Sequence, residues 1–322
     1  MSKHIGRQIK LGIGKETTRG TAVTPDFWVK AEGFDHDDRV DYDNAEGSIG
    51  SLVPTYEGFP VKQWAEGGFR GLISDDHFGL ILLGLLGAVG DSTVETGVYD
   101  HDYTLAEDVQ HQSLTLVMEE PNQEHGFALA MITSLELKFE LGKLPRYTAN
   151  FMSQKGDTVT ETASFSAENK FRPHDFAFGY ADDISGLSSP TALSVKSLTL
   201  KFETNVTDDQ YLGNIEPEDF LNQELNISGT VELLFENDTH LGWYQDGTHK
   251  ALEISLTRSD VTIGAASNPT LTIQLAKCQF DDWSREKDLG SVVAQTLEFN
   301  CHYSLADSQV GNITLRNTVA AY

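Results

Sequence analysis

Apolar residues recur at every second position over most of the chain. Ser113 to Met118, Ser134 to Leu141, Tyr147 to Met152 and Val195 to Glu203 follow this rule, with Leu135, Leu137, Phe139 and Leu141 on one face of the second run. Leu225 to Phe235, Leu252 to Leu256, Leu271 to Leu275 and Thr296 to Tyr303 do the same. Period-two alternation marks strands with one buried and one wet face. Turn signals such as Glu120-Pro121-Asn122, Leu141-Gly142-Lys143 and Ser267-Asn268-Pro269 separate the runs. The pattern predicts a mainly β chain.

One stretch departs from it. Ser74 to Gly87 carries leucine and isoleucine on several faces after two acids, which predicts a buried helix. Ser74 or Asp75 is expected to accept the free N–H groups of its first turn, and Gly87 or Gly90 to end it. Gly79 and Gly84 weaken such a helix, unless another backbone passes close by.

The chain also resembles itself. Ile49-Gly50-Ser51-Leu52-Val53-Pro54 matches Leu212-Gly213-Asn214-Ile215-Glu216-Pro217, and His77-Phe78-Gly79 matches His240-Leu241-Gly242, each at an offset of 163. Between these anchors, Trp64 to Ile73 faces Leu225 to Phe235. Val29-Lys30 pairs with Val195-Lys196, and Tyr147 to Met152 with Leu297 to His302. The offset is close to half the chain, which predicts two tandem β-rich domains of ordinary size, 1–160 and 161–322. The polar stretch Gly156 to Asn169 is the expected boundary, and about 87–108 reads as a polar insertion in the first copy.

Composition narrows the function. With 23 basic and 49 acidic residues the formal charge is −26, so the chain repels nucleic acid and anionic membranes unless its cations cluster, and the sequence has no such cluster. The N-terminus lacks the apolar core of a signal peptide. The longest apolar run, Phe78 to Val89, is too short to span a bilayer. A soluble protein made in the cytoplasm is expected. Cys278 and Cys301 sit in alternating apolar runs and read as reduced core thiols, with a disulfide as the alternative.

Each chemical motif fails on spacing. Gly12-Ile13-Gly14-Lys15-Glu16-Thr17 approximates a phosphate loop, but Glu16 stands where Ser or Thr must reach magnesium, and no strand precedes it. Asp35-His36-Asp37-Asp38 and Asp41-Tyr42-Asp43 lack the glycine and distal glutamate of a calcium loop and read as a solvated acidic loop. His101, His111, His125 and His174 have no metal-ligand spacing, and His77 and His240 read as capping or packing residues. No Gly-x-Ser-x-Gly is present. The sequons at Asn205, Asn226, Asn237 and Asn312 read as chance. No catalytic residue, cofactor site or metal site is assigned, and the chain is not expected to be an enzyme.

The N-terminal third carries a family resemblance. Gly14 to Val23, Phe27-Trp28-Val29, the acids through Asp43, the Ser48-Ile49-Gly50-Ser51 turn and Trp64 to Phe69 lead in order into Asp76 to Leu82. Over roughly residues 8 to 90 this order resembles the tail tube proteins of siphoviruses, relatives in fold of contractile-tail and type VI secretion tubes. The rest agrees in being β-rich.

The resemblance implies β-sandwich or barrel units, each with a flanking helix. One sheet of each unit joins its neighbours around a lumen, six units make a ring, and the N-terminal segment runs over neighbours. With two units per chain, a trimeric, pseudo-hexameric ring is expected. Such a ring carries three times −26 formal charges, a share of which would keep passing DNA from sticking. The implied partners are ring neighbours and stacked rings, tail-tip or baseplate, tape measure and tail terminator proteins, with DNA passing unbound and no membrane. The implied place is the virion tail, assembled in the host cytoplasm. The alternatives are a tail-tip, terminator or capsid decoration protein, or a carbohydrate-binding β-sandwich. The last needs clustered aromatics, whereas Trp28, Trp64, Trp243 and Trp283 are scattered.

Overall fold

Alternating runs of this length bury one face only if sheets stack on one another or on helices. The computed structural model describes residues 3–286, 289–290 and 292–322. The first part of the chain contains β1 (Lys10–Lys15), β2 (Phe27–Val29), β3 (Gly33–Phe34), β4 (Asp37–Glu46), β5 (Thr55–Leu72), helix α1 (Phe78–Leu86), β6 (Gly87–Glu95), β7 (Val98–Leu105), β8 (Leu114–Glu119), β9 (Glu124–Glu140), β10 (Arg146–Ser153) and β11 (Asp157–Thr158). Then come β12 (Phe176–Ala181), β13 (Thr191–Ala192), β14 (Val195–Glu203), β15 (Thr207–Asp209), β16 (Asp219–Leu221), β17 (Asn226–Leu234), helix α2 (Thr239–Asp246), β18 (Lys250–Thr257), β19 (Thr270–Arg285), β20 (Ala294–Cys301) and β21 (Gly311–Asn317). The chain is mainly β, as its alternation predicts.

One antiparallel sheet runs through both parts of the chain. Its ladder passes from β3 and β4 to β5, β10 and the second half of β9. It continues through β14, β17, β20 and the second half of β19. Alternation sets its two faces: on β9, Leu135, Leu137 and Phe139 are buried while Glu136 and Lys138 point to water. The first halves of β9 and β19 leave this sheet for a second layer. There β2, β1 and β8 flank β9, and β13, β12 and β18 flank β19. Each long strand thus belongs to both layers. Both layers close over a shared core that includes Phe69, Tyr147, Phe151, Leu200, Ile254 and Phe299.

Helix α1 packs on β9, β7 and β6, and all nine of its residues are buried. A helix this short is not stable by itself. Each buried leucine or isoleucine contributes roughly 1.5–3 kcal/mol, so packing holds α1. Gly87 ends it in the left-handed region at φ 83°. Ser74 and Asp75 do not cap it. The helix begins one turn later, and the Asp75 carboxylate instead accepts bonds from the Asn169 backbone N–H and side-chain amide, both at 2.7 Å. Gly79 and Gly84 admit side chains rather than a backbone: the Tyr322 ring lies against Gly79, and Leu114 and Ile132 against Gly84.

Other expectations change as well. The stretch about 87–108 has regular structure. It is the β6–β7 hairpin, in which Val98, His101 and Tyr103 are buried, and β7 pairs with β21 near the other end of the chain. Leu141 lies beyond the end of β9 and is exposed, in a turn closed by Gly142 at φ 76°. The stretch Gly156 to Asn169 holds β11 and then, without regular structure, lies over the start of α1, where Glu168 meets Lys30 at 3.2 Å and His77 at 3.3 Å. Cys278 and Cys301 are free thiols facing each other across β19 and β20.

Candidate assembly surface

The continuous sheet does not close within the chain. On one side it ends at β3 and β4, which pair only with β5 among the described residues. On the other it ends at β19, whose residues 279–285 pair with β20 and have no strand on their outer edge among the described residues. Such edges present unpaired backbone donors and acceptors and invite another strand.

The distal parts of β4 and β5 form an arm. From Asp37 to Val61 no residue is buried, yet Val40, Tyr42, Tyr56, Phe59 and Val61 all expose apolar surface. At its tip Leu52 is fully exposed. A second, shorter hairpin of β15 and β16 exposes Leu212 in the same way. The two hairpins touch: Gln63 donates its N–H to the Ile215 carbonyl at 2.8 Å, and Lys62 meets Asp208 at 2.9 Å. Apolar surface of this extent on an acidic chain marks an interaction surface.

The wet face of the sheet is mixed in charge. Lys138 pairs with Glu136, Lys201 with Glu203, Lys196 with Glu232 at 3.4 Å and Arg146 with Glu32 at 2.7 Å. Each of these cations already has a carboxylate, so none of them is a bare phosphate contact.

The motifs singled out in the sequence lie in structural roles. The phosphate-loop lookalike is itself a strand, β1, held between β2 and β8, with Leu11 and Ile13 in the core of the chain. The acids 35–43 stand largely on the β4 strand of the arm rather than in a loop. Glu16, noticed only as the wrong residue for magnesium, is buried and accepts from Ser113 Oγ (2.6 Å), Thr115 Oγ1 (3.0 Å), Leu129 N–H (2.7 Å) and Gly20 N–H (2.8 Å). His77 bonds the Tyr147 hydroxyl at 2.9 Å, and His240 stacks edge-on to Trp243. His36 is buried against Phe127, and desolvation lowers its pKa to about 4 despite Asp37, Asp38 and Asp35 nearby. Burial opposes ionisation of Glu168, but His77 and Lys30 more than offset it and hold the carboxyl at about 2. Burial raises Asp75 and Asp76. Among the described residues no three His, Cys, Asp or Glu are placed to hold a metal ion.

A family model described as phage tail tube protein matches residues 6–300. The chain belongs to the phage tail tube protein family. No curated protein matches it. As a phage tail tube family member it has a structural role in the virion tail, assembling with itself into a tube and meeting other tail proteins. Its unpaired sheet edges and apolar arm are the surfaces such a role requires. No helix among the described residues is long and apolar enough to cross a membrane. Sequence reading missed the open edge of β19, because Asp281 and Asp282 interrupt its alternation.

Proposed function

We propose that this tail tube protein supplies two units per chain, 1–160 and 161–322, and that three chains close into a pseudo-hexameric ring of a long non-contractile tail. One observation carries this reading. The strands before and after each helix pair in the same way, β5–β10–β9–β8 in the first part and β17–β20–β19–β18 in the second, and β9 joins β14 to make one sheet of the two. A sheet with two open ends removes them by closing with copies of itself. The wet face of the sheet then lines the lumen, where its matched charges let DNA slide. The arms reach the next ring, and tail-tip or baseplate, tape measure and terminator proteins meet the ends of the stack. The chain carries out no catalysis.

Electron cryomicroscopy of assembled tubes tests the reading. Three chains per ring, each with two similar lobes, are expected. Six identical chains per ring, or a lone ring that never stacks, would overturn it.

A further inference from the structure

The join between β9 and β14 is a template for the contact between chains. Across it, Leu137 lies opposite Leu200 on the buried face, and Glu136 opposite Lys201 on the wet face. The outer edge of β9 is split between two partners: β8 covers the first half and β14 the second. On β19 the corresponding edge is covered by β18 as far as Cys278, and beyond it no strand follows among the described residues. In the same way, β14 presents to β9 the edge that β3 and the start of β4 leave open, since β14 pairs with β17 on its other side as β3 does with β5.

The ladder supplies the register. Phe34 leads through Phe69 and Ala149 to Leu135, and across the internal join to Phe202. Leu200, the counterpart of Phe34, leads through Gly229 and Phe299 to Phe280. The internal join advances the row from Leu200 to Phe202, a step of two residues. The same step from Phe280 lands two residues beyond Phe34, on His36.

Resting on the ring reading, we propose that the occupant of the β19 edge is a second copy of this chain, whose residues 33–36 pair antiparallel with residues 280–284, Asp281 being the extra residue of the bulge that shifts the β19–β20 register between Phe280 and Asp282. In this register Trp283 lies opposite Phe34 of the neighbouring copy, and Ser284 opposite Gly33. Trp283 and Phe34 are both only half-buried within the chain and pack against its core. They continue the apolar seam that Leu137 and Leu200 make internally. On the wet face the match differs. Asp282 meets Asp35 where the internal join has Glu136 and Lys201, so the joint between chains is held by apolar packing and backbone bonds and opposed by like charge. Facing acids on adjacent strands destabilise a pair, and opposite charges stabilise it.

Two variants test the register. Gly33→Cys combined with Ser284→Cys places thiols on the wet face, where a Cβ at 33 first meets the movable Arg70 side chain. After mild oxidation the double variant should give covalent dimers and trimers on a non-reducing gel, with a 33–284 disulfide found by peptide mass spectrometry. Neither single variant should give that bond. Asp282→Lys should form rings at about tenfold lower protein concentration in low salt than the natural chain, an advantage that added salt erases. Rings that form normally but give no 33–284 disulfide, together with no gain from Asp282→Lys, would overturn the register and leave the ring reading standing. A natural chain that forms no ring under any condition would overturn both.

Discussion

Glu16 illustrates how much a single buried carboxylate organises. Four donors converge on it from positions 20, 113, 115 and 129, and the Leu129 N–H reaches it from a left-handed backbone at φ 55°. That conformation costs a leucine roughly 1–2 kcal/mol, and the bond to Glu16 helps to hold it. Glu16→Ala leaves buried donors without an acceptor and should cost about 3 kcal/mol or more in urea unfolding. No local spacing betrays this role, because three of the donors are around a hundred residues away. His36 makes a second residue-scale case. Its folded pKa of about 4 lies below the unfolded value of 6.5, so folding favours the neutral ring. Stability is complete above pH 6.5 and falls as pH drops from there towards 4, by about 2 kcal/mol at pH 5. His36→Phe should keep the edge-on contact with Phe127 and flatten that slope. Urea midpoints at pH 7, 6 and 5 measure it, and an unchanged slope would show that other groups carry the acid sensitivity.

Among the elements, those with one buried face were legible, and those with two like faces were not. β10, β14, β17 and β18 lie within two residues of where alternation puts them. The first half of β9 is hidden because Phe127, Leu129, Ala130, Met131 and Ile132 are all buried, between two layers. β4 is hidden for the opposite reason: nearly all of it is exposed, and its acids read as a loop. Helix α1 is legible from its leucines but the need for its glycines is not, since the ring that lies against Gly79 comes from Tyr322. Gly79→Ala puts a methyl into that ring and should lower stability by about 1–3 kcal/mol. Tyr322→Ala, costly alone, should make the alanine at 79 nearly harmless, a non-additivity that thermal melts of the four proteins would show.

At the scale of the molecule, the sequence likeness between the two halves was visible at two kinds of place: hairpin tips, where Ile49 to Pro54 joins β4 to β5 and Leu212 to Pro217 lies between β15 and β16, and the starts of α1 and α2 at His77 and His240. Tips are free of packing constraints within the chain, so their likeness is most simply explained by a shared outward task. Replacing Asn44 to Gly58 with an Asn-Gly turn removes no buried residue and should leave the melting temperature almost unchanged, while negative-stain images lose long tubes and keep rings. Tubes of normal length would show that the arm does not stack them. The β6–β7 hairpin has a different kind of consequence. Its β7 strand needs β21, about two hundred residues further on. At ribosomal rates of roughly 5–20 residues per second that partner arrives about 10–40 s later. Until then the outer edge of β7 in the nascent first part stays open, and only the late-made β21 covers it.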